Sequence, residues 1–189
     1  MKTLVFATGN AGKLKELEAL LGDGWQVKSA KDFPEIAEVV EDADTFEGNA
    51  AKKAHAFAAA TGLPALADDS GLVVDALDGA PGVHSARHAP TESERIDKLL
   101  GAMAGKAPRT ARFVCVLCLA RPDGTELFTR GTCEGEIGGE RRGANGFGYD
   151  PVFMLPSGQS MAELTRDEKS AVSHRGHAFR LMLPALKEL

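Results

Sequence analysis

Thr3-Leu4-Val5-Phe6-Ala7-Thr8-Gly9-Asn10-Ala11-Gly12-Lys13, running on into Leu14-Lys15-Glu16-Leu17-Glu18-Ala19-Leu20-Leu21, decides the fold class. The apolar run 3–8 reads as a strand, and the apolar spacing of 14–21 is helical. A strand, a tight glycine turn and a helix N-terminus open an α/β unit. The same turn suggests chemistry. The first N–H groups of a helix lack intrahelical partners, and the helix dipole favours an anion beside them. Lys13 adds a full positive charge, so a phosphate-bearing ligand is expected at Gly9-Asn10-Ala11-Gly12-Lys13. This is not a Walker A loop: two residues rather than four separate the glycines, and Leu14 follows Lys13 where Ser or Thr is required. The glycines also suit a turn in which they only relieve backbone strain.

The rest of the chain fits an α/β domain with a mixed sheet. Thr45 to Thr61 reads as an alanine-rich helix with Thr45 as N-cap, ended by Gly62-Leu63-Pro64. Ala65 to Ala67 and Leu72 to Asp75 read as short strands on either side of Asp68-Asp69-Ser70-Gly71. Thr91 to Met103 is a helix with a capping box, Thr91 with Glu94. Arg109 to Ala120 and Glu126 to Ile137 flank the turn Pro122-Asp123-Gly124 and form a hairpin. Pro151 to Leu155 reads as a strand and Ser173 to Leu186 as a closing helix. The expected architecture is an elongated mixed β-sheet flanked by helices, bent into two lobes around a central cleft, in one domain covering 1–189.

Composition narrows the function. With 189 residues, 43% hydrophobic and 26% charged, the chain can bury a substantial core. Its formal net charge of −5 argues against a general nucleic-acid binder. It leaves room for a nucleotide pocket, because a few lysines make a local positive well. The densest apolar run, 113–120, is far short of the roughly 20 residues of a membrane span. The N-terminus does not read as a signal peptide, and the expected compartment is the cytoplasm. Three cysteines suggest no disulfide framework. Cys115 and Cys118 match C-x-x-C in letters only, since they lie inside an apolar strand.

Four further stretches carry candidate chemistry. In Asp68-Asp69-Ser70-Gly71, two adjacent carboxylates need a cation or a lysine to neutralise them. Adjacent strand residues point opposite ways, so one of the two is expected to face a ligand. A hard cation such as Mg²⁺ suits carboxylates combined with ligand phosphates. An exposed Asx turn is the simpler reading. The acidic segment Glu38, Glu41, Asp42, Asp44 precedes the helix that carries Lys52 and Lys53. It reads either as a solvated loop or as the source of a second metal ligand, with one of the lysines reaching a phosphate. In Gly143 to Pro151, glycines surround Phe147 and Tyr149, either of which could stack on a base or simply fill the core. Last, Lys169 precedes Ser173-His174-Arg175, where donors begin a helix; His174 and His177 lack the companions of a zinc site.

Together these blocks resemble the inosine triphosphate pyrophosphatase family, the noncanonical purine nucleoside triphosphate pyrophosphatases. Thr8-Gly9-Asn10-Ala11-Gly12-Lys13 resembles its phosphate-binding opening. Thr45-Phe46-Glu47-Gly48-Asn49-Ala50 with Lys53-Ala54 resembles its T-F-x-x-N-A…K-A helix. Ala67-Asp68-Asp69-Ser70-Gly71-Leu72, then Gly79 to Arg87, resemble its central signature. Gly146-Phe147-Gly148-Tyr149-Asp150-Pro151 and Lys169 to Gly176 complete the series in the family's order. Two positions depart from the pattern. Ala43 follows Glu41-Asp42 where relatives carry glycine, and Gly48 replaces a common glutamate.

The resemblance implies hydrolysis of ITP, dITP and XTP to the monophosphate and pyrophosphate, with Mg²⁺, in a homodimer. It maps the active-site aspartate to Asp69 and the metal-binding glutamate to Glu41. It maps the base pocket to Phe147, Gly148, Tyr149 and Asp150 with Lys169, His174 and Arg175. The implied mechanism has Thr8 to Lys13 and Lys53 on the phosphates, beside Ser70. Glu41 and Asp69 hold Mg²⁺, and Asp69, helped by Asp68, activates water. No nucleic acid and no membrane partner is expected.

Overall fold

The computed structural model describes all 189 residues. Its strands are β1 (Lys2–Phe6), β2 (Trp25–Ser29), β3 (Ala65–Val74), β4 (Thr110–Ala120), β5 (Glu126–Ile137) and β6 (Phe153–Met154). Its helices are α1 (Ala11–Leu21), α2 (Phe46–Thr61), α3 (Glu92–Ala102), α4 (Arg166–Val172) and α5 (His174–Lys187). The six strands form one sheet in the order β2-β1-β3-β4-β5-β6. β1 runs parallel to β2 and β3, with Val5 opposite Ala65 and Phe6 opposite Leu66, whereas β5 and β6 are antiparallel. The sheet is therefore mixed, as expected.

Local chemistry sets the helix ends. Asn10, Thr45, Thr91 and Thr165 cap α1 to α4 with side-chain oxygens, and the last two complete capping boxes with Glu94 and Glu168. Gly62, left-handed at φ 66°, closes α2. Ser173 accepts a hydrogen bond from the Gly176 N–H at 3.1 Å as α5 begins. α4 escapes the sequence reading because only seven residues carry it and none is buried.

Two expectations are corrected. Asp68-Asp69-Ser70-Gly71 is not a loop between two strands. β3 runs unbroken through it, because each aspartate finds a partner within the fold: the Lys13 ammonium for Asp68 and the Asn49 amide for Asp69. The strand expected over 151–155 shrinks to Phe153–Met154, because Asp150–Val152 forms a 3₁₀ turn and Pro151 has no N–H to donate.

The chain divides into two compact units, residues 1–69, 115–131 and 177–189, and residues 70–114 and 132–176. The core of the first gathers Leu4, Phe6, Leu17, Leu66, Leu117 and Phe179, with the Phe6 and Phe179 rings edge to face at 5.8 Å. That of the second gathers Leu72, Leu99, Met103, Phe113, Phe153 and Met161. Each such fully buried side chain contributes about 1.5–3 kcal/mol of apolar transfer energy.

Cys115, Cys118 and Cys133 are buried and form no disulfide. Burial pushes the Cys118 thiol up to about 12 and that of Cys133 to about 11. Iodoacetamide at mildly alkaline pH is therefore expected to leave the native protein unmodified. In denaturant it should alkylate all three cysteines, which intact mass spectrometry would count. Labelling of the native chain at Cys115 and Cys118 would instead revive a reactive pair.

Candidate active site

The first unit carries a cluster of charges on three elements. Lys13, in the first turn of α1, places its ammonium 2.6 Å from the Asp68 carboxylate of β3. Lys53 of α2 donates to the Asp68 carbonyl at 2.6 Å and pairs with Glu41 at 2.5 Å. Asn49, one turn earlier on α2, donates to the Asp69 carboxylate at 2.9 Å. The geometry thus gathers Lys13, Glu41, Lys53, Asp68 and Asp69, whereas Glu38 is exposed. Lys52 points outward into an ion pair with Asp42, so of the two adjacent lysines it is Lys53 that turns inward.

The turn before α1 is organised differently from a bare helix end. Asn10 caps the helix by accepting from the N–H groups of Gly12 and Lys13, at 2.8 and 3.3 Å. Its own N–H donates to the Thr8 hydroxyl. Neither Gly9 nor Gly12 has a positive φ, so relief of strain is not what these glycines provide. A Cβ on Gly12 would sit 3.1 Å from the capping oxygen of Asn10, and one on Gly9 would meet nothing within 4 Å. Gly9 to Gly12 are exposed, but the N–H groups of Asn10 and Gly12 are already bonded to Thr8 and Asn10, so this helix start does not present the free row of donors expected of it.

Two lysines face three carboxylates here, a formal charge of −1. This excess of carboxylate over ammonium charge suits a divalent cation. The donors of the cluster fit one. Glu41 and Asp69 offer hard oxygens, but no three or more His, Cys, Asp or Glu come together as a group that could hold a metal ion by themselves. One or two carboxylates completed by substrate phosphates is how Mg²⁺ is commonly held.

The two departures noted in the sequence meet in space. A Cβ on Gly48 would lie 2.7 Å from the Cβ of Ala43 and 3.1 Å from the Thr45 hydroxyl. The methyl of Ala43 thus occupies the room a side chain at 48 would need. Ala43 itself has no positive φ, so its position does not demand glycine. Gly48→Ala is expected to destabilise the protein by about 1–3 kcal/mol through overpacking, and Ala43→Gly to restore most of the loss. Urea denaturation of the single and double variants measures this coupling; additive effects would disprove it.

The second unit holds a cavity of about 120 Å³. Ser70, Phe147, Gly148, Tyr149, Asp150, Lys169, His174 and Arg175, all singled out from sequence, contribute to its wall. Phe113 stacks on the His174 ring at 5.0 Å and 19°. Asp150 is buried, accepts the Phe147 N–H at 3.0 Å and pairs with Lys169. Gly146, at φ 76°, is required twice over, since a Cβ there would strike the Asp150 carboxylate and crowd Lys169. The two aromatics separate. Tyr149 is 5% exposed, and its hydroxyl donates to the Ser85 carbonyl at 3.0 Å. Burial pushes that hydroxyl up to about 12, so it stays a donor. Phe147 is 48% exposed, with Lys169 and Arg175 at 4.6 and 5.7 Å from its ring centre. It is the aromatic with surface to offer a planar ligand.

Sequence reading missed Asn49 as a contact of Asp69, and Ser85, Arg95 and Phe113 in the cavity wall. An asparagine in an alanine-rich helix is a usable signal for the first, and Ser85 lies inside the Gly79 to Arg87 stretch; Arg95 and Phe113 lie in ordinary-looking segments.

A family model matches residues 4–185, and its description is the Ham1 family. The chain belongs to the Ham1 family. A dITP/XTP pyrophosphatase of Exiguobacterium sp. is 56% identical over 94% of this chain and 93% of its own. One of Shouchella clausii is 50% identical over 100% and 96%. Among solved structures, a HAM1 protein from Coxiella burnetii superposes with a TM-score of 0.94, at 43% identity and full coverage of both chains. The Ham1 protein of Staphylococcus aureus gives 0.93 at 37% identity, covering 99% of each. Ham1 relatives thus share the whole α/β architecture with this chain. Its helices include none long and apolar enough to cross a membrane.

Proposed function

We propose that the chain, as one domain over 1–189, hydrolyses noncanonical purine nucleoside triphosphates (ITP, dITP and XTP) to the monophosphate and pyrophosphate. The observation that carries this reading is the convergence of Lys13 and Lys53 on Asp68, beside Glu41 and the Asn49–Asp69 pair. That is a phosphate-and-cation site. The names and full-length similarity of its relatives support the substrate class.

The exposed turn from Gly9 to Gly12, with Thr8 and Lys13, receives the phosphates, and Lys53 turns from Glu41 to a phosphate oxygen. Ser70, next to Asp69 on β3, is a further substrate contact. Glu41 and Asp69 would hold Mg²⁺, which when bound supplies charge neutralisation for the leaving pyrophosphate. Asp69, with Asp68 as neighbour, orients a water and takes its proton. The water oxygen bonds to the α-phosphorus as the bond from that phosphorus to the bridging oxygen breaks. The departing electron pair stays on pyrophosphate, whose charge Lys13 and Lys53 stabilise.

The purine enters beside Phe147, with Gly148 allowing close approach. Asp150 and Lys169 fix the loop, Tyr149 braces it, and His174 and Arg175 offer donors to the 6-oxo group. Adenine presents an amino donor at that position, so ATP meets donor against donor. We further propose that the enzyme acts as a cytoplasmic homodimer, without nucleic-acid or membrane partners.

The deciding assay incubates the protein with Mg²⁺ and ITP, XTP, ATP or GTP separately and identifies the products. Monophosphate and pyrophosphate from ITP and XTP, with ATP and GTP nearly untouched, are expected. Orthophosphate with a diphosphate would mean attack at the γ-phosphorus, and binding of ITP without turnover would make the chain a sensor.

A further inference from the structure

We propose that Asn49 is a positioning residue that holds the Glu41 loop and the Asp69 carboxylate together as one cation-binding unit. The proposal rests on the reading of Glu41 and Asp69 given above and adds the group that sets them in register.

Asn49 is fully buried in the first turn of α2. Its Nδ2 donates to Asp69 at 2.9 Å, and its Oδ1 accepts the Ala43 N–H at 2.9 Å. A backbone N–H can only donate and a carboxylate can only accept, so these partners leave the amide one orientation. Ala43 lies two residues after Glu41 and Asp69 one after Asp68, the other anchor of Lys53. One side chain therefore ties the acidic loop to β3 across α2. Helix packing does not ask for asparagine here: Ala50 and Ala54 fill the neighbouring buried positions, and asparagine is a poor helix former. Gly48 serves the same clamp, since the absence of its Cβ lets the Ala43 segment close onto the helix.

No other residue reproduces both bonds. Alanine loses both. Aspartate keeps the bond from Ala43 but sets a second carboxylate against Asp69. The two variants consequently part ways in a manner that damage to the fold would not produce. Mn²⁺ uptake by the full chain without nucleotide, followed by electron paramagnetic resonance, is read beside kcat and KM for ITP. Asn49→Ala is expected to weaken Mn²⁺ binding by about 10–100-fold and to lower kcat by a similar factor. Asn49→Asp is expected to keep or tighten Mn²⁺ binding, because a carboxylate is added, while kcat still falls by about 10–100-fold. Equal losses of Mn²⁺ affinity in both variants would overturn the proposal, as would unchanged Mn²⁺ affinity in Asn49→Ala, an unchanged kcat in either variant, or a wild-type chain that takes up no Mn²⁺. Mn²⁺ binding is independent of turnover. If wild type binds Mn²⁺ in this pattern yet leaves ITP intact, the pyrophosphatase reading fails and the clamp stands.

Discussion

Asp69→Asn is expected to lower pyrophosphate release from ITP by about 10³-fold or more while leaving the protein folded. The substitution keeps size and shape in a buried strand position. An amide oxygen can still accept from Asn49, so that hydrogen bond survives with a neutral partner. The Lys13–Asp68 and Lys53–Glu41 pairs do not involve Asp69 and persist. What disappears is a negative charge and a proton acceptor, the two properties the proposed reaction needs from this position. Release of pyrophosphate in a coupled assay and a thermal melt of the same preparation measure both halves of the expectation. Turnover close to wild type in a folded variant would remove Asp69 from the mechanism.

The second large effect concerns the base. Arg175→Ala is expected to reduce the preference for ITP over ATP by about 10²-fold, measured as the ratio of the two kcat/KM values. Arg175 is buried at the start of α5 and lies against the Phe147 ring. Its guanidinium has only donors, and a buried donor facing the adenine amino group forfeits a hydrogen bond on both sides. Truncation removes that penalty for ATP and the bond for ITP, so the two rates move toward each other. Both substrates are read on the same folded enzyme, so any general loss of active protein cancels in the ratio. An unchanged ratio would mean that the 6-position is read elsewhere in the cavity.

Much of this was legible in the chain, where the signal is local. The caps at Thr45 and Thr91 need only a hydroxyl and its neighbours, and the hairpin turn needs only Pro122-Asp123-Gly124. Legibility fails where distant residues decide. Asp68-Asp69-Ser70-Gly71 has the composition of a turn, and it becomes strand because Lys13 and Asn49, far away in sequence, satisfy the two carboxylates. Tyr149 and Phe147 look alike in the sequence. One goes inside because the Ser85 carbonyl waits for its hydroxyl; the other has no such partner and stays at the surface. Likewise, Ala43 and Gly48 are two separate oddities in one dimension and a single steric fit in three.

The unbroken course of β3 has one more consequence. Which of two chemically identical carboxylates meets the lysine and which meets the amide is settled by parity. Ala65 and Leu66 are pinned opposite Val5 and Phe6, and from there the side chains alternate. Deleting or inserting one residue between Leu66 and Asp68 would turn the rest of the strand over. Asp68 would then be offered to Asn49 and Asp69 to Lys13, with both aspartates retained. The chain thus stores part of its chemistry in an odd-or-even count that belongs to no individual side chain, and a lesion in that count would leave every functional residue present and the enzyme silent.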